Sequence, residues 1–235
     1  MTQLLYQENS YIKESEAIIK EANGKFIVLD KSIFIPAAGG LPNDEGVIKK
    51  GDEEFKVIYA IKKYEDISLE VDKEGLNKND RVHCKIDWNR RHKIMQYHTA
   101  LHALSSILHK KANALVTGNR IDINGARVDF SLDNFDKEKM QGYIEETNKA
   151  LAANQEVTFY YLKRDEALKK PELARLAKGL PESIEEIRIV KIGNIDEQAD
   201  GGPQVRNTSE IPELEFIKAE NKGKNNRRLY FRLKE

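Results

Sequence analysis

A chain of 235 residues, 40% hydrophobic and 33% charged, has apolar material for real cores and more length than one small domain needs, so a soluble globular protein of two modest domains is expected. Basic and acidic residues number 39 each, so the formal net charge is zero and no global field marks a polyanionic partner. No apolar stretch nears the roughly 20 residues of a bilayer span, the start MTQLLYQENSYIKE lacks a secretory pattern, and the single Cys84 excludes an intramolecular disulfide framework or a multi-cysteine zinc knuckle, which together give a cytoplasmic address.

The first part of the chain reads as β-rich. Segments 17–19, 25–29, 32–35, 54–61, 67–71 and 82–86 are short, often β-branched and separated by Gly, Asn, Asp or Pro turn signals, the spacing of a small barrel. Between Pro36 and Gly46 lies PAAGGLPNDEG, whose glycines and prolines forbid regular structure and leave N–H groups available to a phosphate or sugar; an ordinary long hairpin loop has the same composition. Cys84, beside His83 in an alternating segment, reads as a small packed side chain. Short basic clusters, among them Arg90-Arg91 with Lys93, Lys110-Lys111 and Lys222 to Arg228, fit solvated faces as well as a polyanion.

After Asp87 the pattern turns helical, through about Ala112. Met95, Leu101, Leu104, Ile107 and Leu108 follow the three-and-four spacing of an apolar stripe, and His98 and His102 fall near its edge. On a helix, positions i and i+4 share a face, so both imidazoles can converge on one cation; the same spacing also fits two partly exposed, hydrogen-bonded histidines. Thr99 stands where a zinc metalloprotease helix carries its glutamate base, which argues against that activity. Further on, 127–130 reads as a strand and 136–154 as a second amphipathic helix with Met140, Tyr143, Ile144, Thr147 and Leu151 inward. Then come a strand at 157–162, a short helix at 164–177 ended by Gly179, a strand at 187–192, and a closing hairpin from 215–218 and 228–233. Helices on one face of an antiparallel sheet give an α+β fold, here with a β-barrel domain at 1–87 and a second, two-layer domain at 88–235.

The strings IDWNRRHKIMQYHTALHALSSIL, VTGNRIDINGARVDF and DEQADGGPQVRNTSEI, with FIPAAGGLPNDEG before them and NNRRLYFRL after, occur in an order that resembles the AlaX family of alanyl-tRNA editing proteins in its medium-length class. These are free-standing relatives of the editing domain of alanyl-tRNA synthetase, itself related to the second editing domain of threonyl-tRNA synthetase. The resemblance implies an N-terminal β-barrel with a glycine-rich motif and a C-terminal catalytic domain. It also implies a hydrolase that acts in trans to remove wrongly attached serine or glycine from tRNA(Ala), with no membrane or DNA partner.

The family's zinc site combines the two histidines with a later Cys-Gly-Gly-Thr-His segment, and this chain departs from it with Asp200-Gly201-Gly202-Pro203-Gln204. A carboxylate is an acceptable zinc ligand at about 2.0–2.2 Å, and two histidines plus one acid form a catalytic set that leaves a position open. A neutral glutamine amide is a poor donor to zinc. The expectation is one zinc ion per chain, held by His98, His102 and Asp200, with Gln204 at the fourth metal position as a catalytic residue that hydrogen-bonds a water or the substrate more than it coordinates, and with the ion more easily lost than from the thiolate site. Asp200, if free of metal, is the candidate general base; Asp200 and Gln204 also read as a turn. Thr117, then Asn119, are candidates for recognising the serine hydroxyl. Arg127, Arg206 and Thr208 are candidates for the terminal adenosine, and Gly39 and Gly40 for tRNA contact, with Ala38 where a further glycine is usual. Two rival readings stand beside this one: a catalytically inactive tRNA-binding module, and a metallohydrolase of another small ester or amide.

Overall fold

The computed structural model describes residues 1–132, 136–170, 173 and 184–235. It has an α+β fold, as expected, and divides into two compact units: Met1–Met95 with Arg120–Ile123, and Gln96–Asn119 with Asn124–Glu235.

In the first unit, β1 (Gln3–Leu4) leads into α1 (Leu5–Glu8), and then come β2 (Glu14–Asn23), β3 (Phe26–Leu29), β4 (Lys31–Ser32), β5 (Gly46–Lys50), β6 (Glu53–Lys63), β7 (Asp66–Val71) and β8 (Arg81–Ile86). Six of them close a barrel in the order β2-β3-β7-β6-β5-β8. Strand alternation fills it: Ala17 and Ile19 of β2, Ile67, Leu69 and Val71 of β7, and Val82, Cys84 and Ile86 of β8 are buried. In β6 the inward residues change parity, from Phe55 and Val57 to Ala60, because the pairing with β7 shifts between Val57 and Tyr59. Two expectations change. Of 32–35 only Ser32 is in a strand, the rest being buried extended chain, and β5, short and lysine-rich, carried too weak a pattern to be read.

The basic pair Arg90-Arg91 is not a surface patch. Arg91 is fully buried and paired with Asp44, and it also donates to the carbonyls of Ser10 (2.9 Å) and Ile33 (2.5 Å). Asp44 in turn accepts from the Ile35 N–H at 2.8 Å. This buried ion pair, satisfied on both sides, closes the base of the glycine-rich loop, where Gly39 and Gly40 take φ of 59° and 89°. At the loop's tip the Gly40 carbonyl accepts from the Ile121 N–H at 2.8 Å.

The chain passes between units inside α2 (Trp88–Ala112). Asp87 caps its start, accepting from the Arg90 N–H at 3.1 Å, and Asn113 ends it in the left-handed region with φ of 50°, its N–H on the His109 carbonyl. The second unit then adds β9 (Val116–Asp122), β10 (Gly125–Ser131), α3 (Lys137–Leu151), β11 (Val157–Lys163), α4 (Arg164–Lys169), β12 (Glu186–Ile192), β13 (Asp196–Ala199), β14 (Leu214–Asn221) and β15 (Asn226–Leu233). Strands pair antiparallel in two sheets, β14-β15-β10-β9 and β11-β12-β13. α3 buries Met140, Ile144, Thr147 and Leu151, is capped by Asp136, and clamps β14 through Asn148, whose amide bonds both backbone groups of Leu214 at 2.8 Å. α4 covers one face of the three-stranded sheet. The expected helix 164–177 is seen over Arg164–Lys169, while its positions 171–172 and 174–177, and the terminating Gly179, lie outside the described residues.

Candidate metal centre

The apolar stripe expected on α2 is too narrow. From Ile94 to Leu104 every residue is buried, so the helix is enclosed on all sides there and the histidines are inside: His98 and His102 are each 7% exposed. Burial of two imidazoles without partners is costly, and each has them. The turn after β12 brings the partners in. Gly193 takes φ of 46° and a Cβ there would lie 2.1 Å from Gln155 Oε1, so only glycine fits. The Ile195 carbonyl just beyond accepts from Ser106 Oγ (2.6 Å) and Lys110 Nζ (2.5 Å) of α2, which locks β13 along the helix.

Three ligand atoms then face one another. His98 Nε2 and His102 Nε2 are 3.3 Å apart, and Asp200 Oδ1 lies 3.6 Å from the first and 3.9 Å from the second. Among the described residues this is the one group of three or more His, Cys, Asp or Glu side chains set to hold a metal ion. The point equidistant from the three atoms of that triangle is about 2.1 Å from each, the length of a zinc–nitrogen or zinc–carboxylate bond. The donor set therefore fits a divalent cation such as zinc in type and spacing.

Every ligand is oriented from behind. His98 Nδ1 lies 3.0 Å from the Pro203 carbonyl, to which it donates, leaving the Nε2 lone pair toward Asp200. His102 Nδ1 lies 3.2 Å from Asp196 Oδ2, the carboxylate–histidine arrangement that fixes tautomer and raises basicity, and Gln198 Nε2 is 2.5 Å from the same oxygen. Asp200 turns Oδ2 away, to the Gln204 side-chain amide (3.0 Å) and the Gly202 N–H (3.1 Å). Gln204 is aimed by Thr99, whose hydroxyl accepts from the Val205 N–H (3.2 Å) and donates to Gln204 Oε1 (2.6 Å). The glutamine's one metal-binding atom is thus turned to Thr99, and its role in this arrangement is to hold Asp200.

Charge follows geometry. Burial, then the neighbouring His102 and Arg188 charges, pull His98 down to about 4 against the attraction of Asp200, so it is a neutral imidazole. Burial also opposes charge on His102, but the Asp196 hydrogen bond and the Asp200 and Asp196 charges outweigh it and raise the group. Burial works against an ionised Asp200, yet the two histidines, Gln204 and Arg188 hold it below its ordinary value. A neutral His98 and an ionised Asp200 are the forms a metal requires, while His102, whose carboxylate neighbours favour its charged form, gives up a proton when a metal binds.

Residues 187–230 match the family model described as the threonyl and alanyl tRNA synthetase second additional domain, and residues 5–90 match that of the class II (A) tRNA synthetases. The chain is 43% identical to the alanyl-tRNA editing protein AlaX-M of Methanosarcina mazei over 99% of its own length and 97% of the relative's. It is 40% identical to AlaX-M of Saccharolobus solfataricus over the whole of both chains. This chain belongs to the alanyl-tRNA editing protein family. It is also 32% identical to the alanine–tRNA ligase of Thermococcus kodakarensis, over 93% of this chain and 24% of that longer one.

Within this AlaX scaffold the other expected residues lie apart from the triangle in their bonding. Thr117, on β9, gives its hydroxyl to Asn226 Oδ1 at 3.0 Å, and Asn119 is two positions further on the same strand. Arg127 pairs with Asp129 at 3.1 Å within β10. Thr208 is buried, and its hydroxyl donates to the Leu151 carbonyl and accepts from the Gln155 N–H. Arg206 is exposed, its N–H on Glu210 and its carbonyl on the Val157 N–H. Thr99, Arg188, Asp196 and Gln198 went unread as site residues. The DEQAD string held a signal, since period-two alternation puts Asp196, Gln198 and Asp200 on one face of a strand.

Proposed function

We propose that this protein is a trans-editing hydrolase that removes wrongly attached serine, and glycine, from tRNA(Ala), using one zinc ion held by His98, His102 and Asp200. Family membership supports the reaction and the tRNA, and the observation that carries the site is the 3.3, 3.6 and 3.9 Å triangle of donor atoms.

When bound, the ion supplies a Lewis acid at an open coordination position, where it polarises the ester carbonyl or orients the amino group. His98 presents a neutral nitrogen lone pair, and His102, from the same helix face, presents one on releasing its proton. Asp200 gives one oxygen to the centre while Gln204 and Gly202 keep the other in place. Because α2 is enclosed around them, the histidines exclude bulk water from all but the substrate side, which strengthens each electrostatic contact. Asp196 holds the His102 ring against rotation. Thr117, its hydroxyl already oriented by Asn226, and Asn119 are proposed to meet the serine hydroxyl. With its proton on Asn226, the Thr117 hydroxyl keeps an acceptor lone pair that a serine hydroxyl can meet and alanine cannot. Arg127 and Arg206 are proposed to meet the terminal nucleotide, and Gly39 and Gly40 the tRNA.

The test is deacylation of serine-charged and alanine-charged tRNA(Ala) by purified protein, with and without added zinc. Selective, zinc-dependent release of serine is the expected result. Release of neither amino acid under any metal, with tRNA still bound, identifies an inactive binding module and contradicts the proposal. Hydrolysis confined to small esters or amides contradicts it too.

A further inference from the structure

The register of the three-stranded sheet puts more than the metal ligands on one face. Directly opposed residues in antiparallel strands share a face. Asp196 and Gln198 of β13 therefore line up with Ile192 and Val190 of β12, and these with Val157 and Phe159 of β11. One step along, Asp200, whose N–H bonds the Arg188 carbonyl, is succeeded across the sheet by Arg188 and then Tyr161. The opposite face, with Tyr160, Leu162, Ile187 and Ile189, is filled by Ala167 of α4 and by Leu173. Among the described residues the site face has no such cover at its far edge: Phe159 is 42% and Tyr161 47% exposed, their rings 6.2 Å apart at 88°.

Arg188 connects this aromatic pair to the metal centre. Its guanidinium lies 4.5 Å from the Phe159 ring centre, and its Nη1 donates to the carbonyls of Asp200 (2.9 Å) and Gly202 (3.1 Å). Phe159 is thus seated on a buried cation that is fixed to the backbone of the metal-binding turn. At the usual spacing of neighbouring strands, the rings stand about 10 Å from Asp200. Arg206, exposed, is tied through its carbonyl to Val157 at the other end of β11. A substrate with its ester at the triangle, a flat ring system one nucleoside away and a phosphate beside it matches these features in order.

We infer that Phe159 and Tyr161 form a stacking platform for the unpaired nucleobases at the 3′ end of the RNA substrate. The inference rests on the proposed reading of this site as one that accepts an aminoacyl-RNA. Two rings are too little area for a protein interface, which needs about 800 Å² from each partner, but they are the unit by which proteins hold single-stranded bases. Phe159 and Tyr161 are positioning residues: they touch the base, not the ester.

The experiment uses the full chain and an uncharged RNA hairpin ending in CCA, with 2-aminopurine in place of the terminal adenine, whose fluorescence is quenched by stacking. Wild-type protein is expected to quench it. The Phe159→Leu/Tyr161→Leu pair, which keeps apolar bulk without a π-face, abolishes the quenching and weakens binding on the order of tenfold or more, while Phe159→Tyr/Tyr161→Phe restores both. With serine-charged tRNA(Ala), the leucine pair raises KM and leaves kcat within about twofold. Quenching and KM unchanged in the leucine pair overturn the platform, even if editing is normal. Quenching that is lost in the leucine pair, in a wild-type protein that hydrolyses no charged tRNA, keeps the platform and overturns the editing reading instead.

Discussion

Asp200 occupies the place where the resemblance puts a cysteine, and the folded chain shows what the carboxylate needs there. One oxygen faces two imidazoles and the other is held by Gln204 and Gly202, so the residue before two glycines is placed as a third donor, with its second oxygen as the anchor. Gln204→Leu removes the anchor without touching a ligand. It is expected to weaken zinc binding about 10- to 100-fold, read by competition with a chromogenic chelator. Asp196→Asn, which loosens the His102 ring, should weaken it by a similar factor, whereas Lys149→Ala, on the exposed face of α3, should not. The two histidines and Asp200 were legible from spacing, chemistry and family pattern. Gln204 was legible only as a poor donor, because its partner Thr99 lies over a hundred positions earlier and no periodicity links the two.

At the scale of elements, long and strongly patterned segments were legible: α2, α3, the β14–β15 hairpin and most barrel strands. β9 and β13 were not, since their side chains are polar or half-buried and their identity comes from partners elsewhere. Arg91 shows the same limit in a single residue. Next to Arg90 and near Lys93 it read as surface charge, yet the Arg91–Asp44 pair is buried, and removing one partner leaves the other charge stranded. Arg91→Met is therefore expected to lower stability by about 3–5 kcal/mol, measured by urea unfolding. A second ionic element lies on β10 and β15, where the Arg228 hydrogen bond and charge, with Arg127, hold the Asp129 carboxyl below its ordinary value against burial. Folded protein thus binds fewer protons there than unfolded chain. The stabilisation is complete above the unfolded carboxylate pKa of about 3.9 and is lost as pH falls through the depressed folded value. Thermal unfolding of Asp129→Asn should start below wild type at pH 7, and the gap should close on acidification.

Across the whole molecule, the α+β class and the barrel came from turn spacing and alternation, while the site required two segments about a hundred residues apart to meet. No described helix is long and apolar enough to cross a membrane. A ligand that binds only the folded chain stabilises it, by about 2.7 kcal/mol at a hundredfold excess over Kd. Zinc is therefore expected to raise the melting temperature by roughly 5–10 °C, and a chelator to reverse the gain.

The most direct measurement is metal content per chain, by elemental analysis of freshly purified wild type beside Asp200→Ala. A stoichiometric divalent ion in the wild type, and its loss from the variant while the circular dichroism spectrum is unchanged, is what the triangle of His98, His102 and Asp200 predicts. Equal metal in both proteins, or none in the wild type after incubation with zinc, would contradict it.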